Sequence, residues 1–400
     1  MIVFLWPYIE WGGAQMYCLG IIKEASRDWD VCVCLPKGSS LELIRLLEQQ
    51  NVELRFINSR LDLRSASGIV EKFNRQARRI STEFESYRLL RSFDPGRTVL
   101  HVDFAPWQSW ILFSLLSLSR YQVFMTMHNI FPKPPIWREL IFKSRLQFLS
   151  RLSRFHVFAS NQDTKNKLRG MVAESFREKI PVTYTTVNSD QIAAVRSEPP
   201  DREELRMRFG IPPDSFVVLT VGQFVDRKGR WILLDTARKV RKTRPMVNFI
   251  WLAPEQPGVA DKRRIEEYEL GSGFKIIKSG DVGTTRNEIL RFFTLADVFV
   301  LPSYVEGLPI ALLEAMALGV PSVSTNVFAI PEAVKDRETG LLIEAGDSEA
   351  LTLSIQSLMD DRELADRISS NGSRFVLDNF DESAASKIAI QEFSAALGYK

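Results

Sequence analysis

The chain has 400 residues, 45% of them hydrophobic and 25% charged, with a formal net charge of +3. That is enough material for two domains with separate cores, and the balance excludes a disordered, fibrous or strongly nucleic-acid-like chain. Cys18, Cys32 and Cys34 show neither metal-ligand spacing nor a disulfide framework, which fits a reducing cytosol. Strand-like Ile-Val-Phe-Leu-Trp follows Met1 directly, so no signal peptide is expected, and no uncharged stretch is long enough to span a bilayer.

From the N-terminus, apolar strand-like runs at 2–6, 31–35 and 52–57 alternate with helical patterns at 14–25 and 40–50. A long helical region at 69–90 precedes further strands at 98–102, 123–126 and 156–159. This alternation predicts a parallel sheet with helices on both faces. Cys32 and Cys34 alternate with Val31 and Val33 and read as strand core. After the first strand comes Glu10-Trp11-Gly12-Gly13-Ala14. Glycines there let backbone approach a ligand at a helix start that favours anions, although a pair of glycines equally suits a tight strand–helix turn. His128 stands at a strand end, as does Asp103, whereas His101 and His156 lie in apolar runs and read as packing residues, with an acceptor contact by the His101–Asp103 pair as the alternative.

The first 190 residues are net basic and the remainder net acidic. Over 136–155, Trp137, Leu140, Ile141, Phe148, Leu152 and Phe155 recur at helical spacing among Arg138, Lys143, Arg145, Arg151 and Arg154. The pattern fits either an interfacial amphipathic helix on an anionic surface or a surface helix with a solvated basic face.

Prolines and glycine make 196–212 a linker between an N-terminal domain (1–195) and a C-terminal one (213–380). The second domain has strand-like runs at 216–222, 247–253, 275–278, 297–301 and 321–325. Its first strand leads into Gly222-Gln223-Phe224-Val225-Asp226-Arg227-Lys228-Gly229. A basic pair in a glycine-bounded loop at a strand's carboxyl end suits a pyrophosphate, although such a loop alone would pass for a solvated basic turn.

The most informative segment is 296–325, which reads as strand, loop, helix, turn, strand. Pro309 is expected at the first helical position and Gly319 at the stop. Glu306 lies just outside the helix N-terminus and Glu314 about one and a half turns inside it, so both can border a ligand at the strand's carboxyl end. A diphosphate could rest on the N–H groups of Gly307, Leu308 and Ile310.

This segment resembles the signature of glycosyltransferase family 4, whose members are retaining, metal-independent, nucleotide-sugar-dependent enzymes. The resemblance implies the α/β GT-B architecture, two Rossmann-like parallel-sheet domains facing across a cleft, with a helix in 381–400 crossing back to the first domain. It implies that Glu306 contacts the donor sugar and Glu314 the ribose, with the backbone of Gly307, Leu308, Pro309 and Ile310 at the sugar and phosphates. Lys228 matches the family's diphosphate-binding lysine. Where the family often has Gly-Arg this chain has Gly222-Gln223, and Arg227 is the candidate replacement. His128 matches a histidine that touches the donor sugar, and Gly12 and Gly13 match a loop facing the donor phosphates and acceptor. Asn188 and Asp190 match the family's loop there only in part and receive no role.

The implied function is transfer of a hexose from a nucleotide-diphosphate sugar to a hydroxyl acceptor on a glycan or lipid, with Glu306 and His128 at the reaction. The implied setting is cytoplasmic, peripheral at the inner face of a membrane through 136–155, without nucleic acid, permanent cofactor or metal, since no Asp-x-Asp ends a strand. Two other readings stay open: a degenerate transferase kept as a nucleotide-sugar-binding partner subunit, and a nucleotide-sugar 2-epimerase, for which three histidines are a poor supply.

Overall fold

Short runs rich in apolar residues, buried on both faces in the central strands, form two six-stranded parallel sheets. The computed structural model describes residues 1–9, 12–59, 61, 68–129 and 135–399, so the Glu10-Trp11 start of the glycine loop lies outside the described residues. The chain divides into unit 1 (Met1–Thr185 with Glu382–Lys400) and unit 2 (Thr186–Asp381).

In unit 1, strands β1 (Ile2–Leu5), β2 (Val31–Pro36), β3 (Glu53–Ile57), β4 (Val99–Val102), β5 (Gln122–Met127) and β6 (Phe155–Ala159) alternate with helices. The helices are α1 (Gly13–Ala25), α2 (Leu41–Glu48), α3 (Ile69–Leu90), α4 (Trp110–Leu118), α5 (Ile136–Leu149) and α6 (Gln162–Arg169). The strand order β3-β2-β1-β4-β5-β6 puts the topological switch beside β1. Alternation along each strand feeds two cores. Val3, Leu5, Cys32 and Cys34 join Leu90, Phe113 and Leu149 under α3, α4 and α5. Ile2, Phe4, Val31 and Val33 join Tyr17, Ile21 and Ile22 of α1 on the other face.

The helix expected over 136–155 ends at Leu149. Phe155 opens β6 opposite Val123, so residues 150–154 must turn the chain back to the sheet. Ser150 closes the helix through its hydroxyl to Gln147 O (3.1 Å) and accepts the N–H of Ala173 (2.8 Å).

Unit 2 holds β7 (Phe216–Val221), β8 (Val247–Ala253), β9 (Phe274–Lys278), β10 (Val298–Leu301), β11 (Ser322–Thr325) and β12 (Leu341–Ile343), ordered β12-β11-β10-β7-β8-β9. Its helices are α7 (Ser189–Ser197), α8 (Arg202–Arg208), α9 (Arg230–Thr243), α10 (Val259–Glu266), α11 (Ser279–Val282), α12 (Arg286–Phe293), α13 (Ile310–Ala317), α14 (Ile330–Ala333), α15 (Ser348–Asp360) and α16 (Arg362–Asn379). The expected linker at 196–212 is largely folded into this unit. Asp201 caps α8 by accepting the N–H of Glu203 (2.8 Å), and buried Arg206 binds Ser215 O (2.9 Å). The chain passes between the units at Thr185–Thr186 and again at Asp381–Glu382.

The last helix, α17 (Glu382–Leu397), returns to unit 1 and packs along α1. Phe393 is fully buried there against Phe124 and Phe158. At Gly20 of α1 a Cβ would lie 2.4 Å from Glu382 Cγ, so the absence of a side chain permits the close crossing.

Candidate active site

The site in unit 2 is built where β7 and β10 end side by side. Thr220 Oγ1 donates to Val300 O (2.8 Å), tying these central strands together near their carboxyl ends. After β7, Gly222 (φ +144) turns the chain, and its carbonyl accepts Trp251 Nε1–H (2.8 Å). A single 3-10 turn over Asp226–Lys228 follows, closed by Gly229 at φ +72. A Cβ on Gly229 would lie 1.9 Å from Pro302 O, so only glycine lets this loop lie against the end of β10. Tyr304 N–H donates to Arg227 O (2.8 Å) and joins the two loops directly.

This stitching places Lys228 on Glu306. Lys228 Nζ lies 2.5 Å from Glu306 Oε1, the same oxygen accepts Ser303 Oγ–H (2.8 Å), and Arg227 Nη1 stands 3.7 Å away. Glu306 is 6% exposed and Lys228 8%, so both are desolvated charges that need each other. Arg227 is nearly half exposed and its guanidinium also reaches Gln223 Oε1 at 3.5 Å, the residue whose place it was expected to take. Gly307, Leu308 and Pro309 continue the loop into α13. Pro309 is the N-cap of that helix, one position earlier than expected, because Leu312 and Leu313 both donate to its carbonyl and the helix starts at Ile310.

Glu314 is brought to a different partner. It is 5% exposed within α13, and Arg286 of α12 donates to its Oε1. Burial raises its carboxyl above the usual range, and Arg286 pulls the other way. Ser303 and Arg286 were not singled out from sequence. Ser303 stands three residues before Glu306, a spacing that could have signalled a local hydrogen bond, whereas nothing in the pattern around Arg286 points to Glu314.

The remaining candidates lie in unit 1. Gly12 caps α1 and Gly13 opens it, with Gly12 N–H donating to Gln15 Oε1 (2.9 Å). A Cβ on Gly12 would meet nothing within 4 Å, so among the described residues no contact dictates glycine at that position. His128 follows β5, its ring edge-on to Tyr17 at 5.1 Å, and its carbonyl accepts from Ser160 and Asn161. Burial pulls its imidazole down to about 4, so it is neutral at pH 7. Asp103, at the end of β4, accepts weakly from Gln15 Nε2 (3.4 Å), and burial pushes its carboxyl up to about 6. His101 is core: Nε2 meets Thr126 Oγ1 (2.9 Å) among Phe4, Phe158 and Phe393. His156 stacks on Phe124 at 4.3 Å. Among the described residues, no group of three or more His, Cys, Asp or Glu could hold a metal ion.

Residues 201–375 match the family model described as Glycosyl transferases group 1. The chain is 28% identical over 163 residues to the D-inositol 3-phosphate glycosyltransferase of Paenarthrobacter aurescens, covering 41% of this chain and 40% of that one. It is 28% identical over 186 residues to the lipopolysaccharide core biosynthesis glycosyltransferase LpsE of Rhizobium meliloti, covering 46% and 52%. The chain thus spans about half the length or less of these curated relatives. The crystal structure of Anabaena HepE in complex with UDP and glucose has a TM-score of 0.77 at 18% identity, covering 98% of this chain and 99% of that one, and shows the shared GT-B fold. The protein is therefore a GT-B-fold chain whose residues 201–375 are similar to the glycosyl transferases group 1 family.

Proposed function

We propose that the protein transfers a sugar, a hexose in the first instance, from a nucleotide-diphosphate donor to a hydroxyl acceptor with retention of anomeric configuration, in cell-surface glycan or glycolipid assembly. The observation that carries this reading is the buried Lys228–Glu306 pair, flanked by Arg227, at the carboxyl ends of adjacent central strands. A diphosphate offers Lys228 and Arg227 a stronger anionic partner and frees Glu306 to accept hydroxyls of the donor sugar. The two cations and the α13 N-terminus, with the backbone of Gly307, Leu308, Pro309 and Ile310, then stabilise the leaving diphosphate, where most transition-state charge develops. The leaving phosphate itself assists deprotonation of the acceptor, so Glu306 positions the sugar and forms no covalent bond. Glu314 takes the ribose, and His128 with Gly12 and Gly13 serve the same reaction from unit 1. The reaction as proposed needs no metal. The HepE structure, solved with UDP and glucose, is that of a protein of the same fold.

The test is a thermal-shift panel of UDP-, GDP-, ADP- and TDP-sugars on wild type and Lys228→Ala, followed by donor turnover with Glu306→Ala. Stabilisation by one nucleotide that vanishes in the lysine variant is the expected result. No shift with any donor would refute the donor reading, and a shift without donor turnover in wild type would move the protein to the class of nucleotide-sugar-binding partner subunits.

We place the acceptor at an anionic membrane surface. Helix α4 packs against both α3 and α5, and more than half of the large apolar side chains exposed among the described residues lie on these three helices. Phe73 and Phe84 on α3, Leu118 on α4, and Trp137 and Leu140 on α5 are each about 60% exposed or more. Lys72, Arg75, Arg78, Arg138 and Lys143 are interleaved with them, a charge pattern that suits acidic lipid headgroups. No helix among the described residues is long and apolar enough to cross a membrane. Co-sedimentation with phosphatidylglycerol vesicles should exceed that with phosphatidylcholine and fall in Phe73→Glu/Trp137→Glu. Equal recovery of wild type and variant would refute this placement.

A further inference from the structure

The Arg286–Glu314 contact holds a detail that the donor site alone does not explain. Arg286 is the first residue of α12, whose start is fixed by a capping box: Thr285 N–H donates to Glu288 Oε2 (2.9 Å), and Thr285 Oγ1 accepts from Glu288 N–H. From that anchored position its guanidinium reaches Glu314 Oε1. Glu314 lies between the fully buried Leu313 and Ala315. Its second oxygen, Oε2, is buried and has no hydrogen-bond partner. A buried carboxylate oxygen without a donor is a costly arrangement, and a fold retains it readily where a ligand supplies the donor.

We infer that Arg286 is a positioning residue for the donor nucleotide: it takes one oxygen of Glu314 and leaves the other presented to a ribose hydroxyl. The inference rests on the donor reading above, which gives Glu314 the ribose, and adds the residue that orients it. The guanidinium does two things here. It favours the ionised carboxylate against the burial that raises its pKa, and it fixes the plane of the carboxylate by binding from one side. Lysine supplies the charge without the planar fork and should do the first job better than the second.

The experiment is calorimetric titration of wild type, Arg286→Lys, Arg286→Met, Glu314→Gln and Arg286→Met/Glu314→Gln with UDP and GDP, then with the 2′-deoxy form of whichever binds. Wild type should prefer the ribo form by roughly tenfold, the scale of one buried hydrogen bond to a charged group. Arg286→Met should lose that preference while binding the deoxy form about as wild type does, and Arg286→Lys should keep part of it. The double variant should be no weaker than Glu314→Gln, because Arg286 acts through Glu314. A ribo preference unchanged in Arg286→Met, or additive losses in the double variant, would overturn the role of Arg286 alone. Failure of wild type to bind UDP or GDP, together with no shift in the four-nucleotide panel above, would overturn the donor reading and this inference with it. Should Arg286→Met fail to fold, Arg286→Lys and Glu314→Gln decide the matter through the same ribo-to-deoxy ratio.

Discussion

Replacing Lys228 by Met removes the ammonium 2.5 Å from Glu306 Oε1 and strands a carboxylate that is 6% exposed. Breaking a buried pair from one side costs about 3–5 kcal/mol, because the remaining charge stays desolvated. Ser303 Oγ at 2.8 Å and the more exposed Arg227 at 3.7 Å still face that carboxylate, so the lower end applies, about 3 kcal/mol. For a unit of this size that corresponds to a fall of roughly 6–12 °C in the unfolding temperature of unit 2. Adding Glu306→Gln removes the stranded charge, and the double variant should recover most of the loss. Ligand-free scanning calorimetry on wild type, both single variants and the double variant measures this directly. A Lys228→Met protein as stable as wild type, or a double variant whose loss equals the sum of the two single losses, would refute the claim that the two charges depend on each other.

Gly229→Ala puts a Cβ 1.9 Å from Pro302 O at φ +72, so a loss of roughly 2–4 kcal/mol and of donor-induced thermal shift is expected in calorimetry and the donor panel. Phe393→Ala opens a cavity beside Phe124 and Phe158 and should destabilise unit 1 by about 3–4 kcal/mol in denaturant titration; a smaller effect would mean that α17 docks without this anchor. Burial pulls His101, His128 and His156 to about 3, 4 and 4, below their unfolded value, so stability is full above pH 6.5 and falls toward pH 4, by at most about 1.4 kcal/mol per pH unit for each imidazole. Asp103, raised to about 6, regains stability as pH falls below that value, so Asp103→Asn should steepen the acid-side decline of the unit 1 transition, and an unchanged slope counts against its burial.

Much of the architecture was legible because two patterns were strong. The helix at 69–90 and the strand at 247–253 stand where the residue pattern placed them, and the helix at 382–397 lies in the segment where the family resemblance implied one. The strand–loop–helix around Glu306 was marked by an apolar run, a proline and a glycine, each restricting the backbone in its own way. By contrast β12 is a three-residue strand, too short for any period to register. The pairing of Lys228 with Glu306 depends on a single 3-10 turn and on the close approach of Gly229 to Pro302, features of backbone path that residue types announce only as a glycine.

Periodicity also locates an apolar stripe without saying which way it faces, and α3 shows what that omits. Val70, Phe73, Ile80 and Phe84 form a regular stripe that would ordinarily be assigned to the core, yet all four are exposed, while Thr82, Ser86 and Leu90 turn inward. On the inward side Thr82 and Ser86 are buried, and Leu90 joins the core cluster with partly buried Tyr87 and Leu89 packed against it. An outward apolar stripe is unfavourable in water, and beside Lys72, Arg75 and Arg78 it is a feature that the membrane placement proposed above would account for. The orientation of one helix, invisible to any count of hydrophobic residues, thus turns a feature of apparent core packing into the observation on which the proposed membrane placement rests.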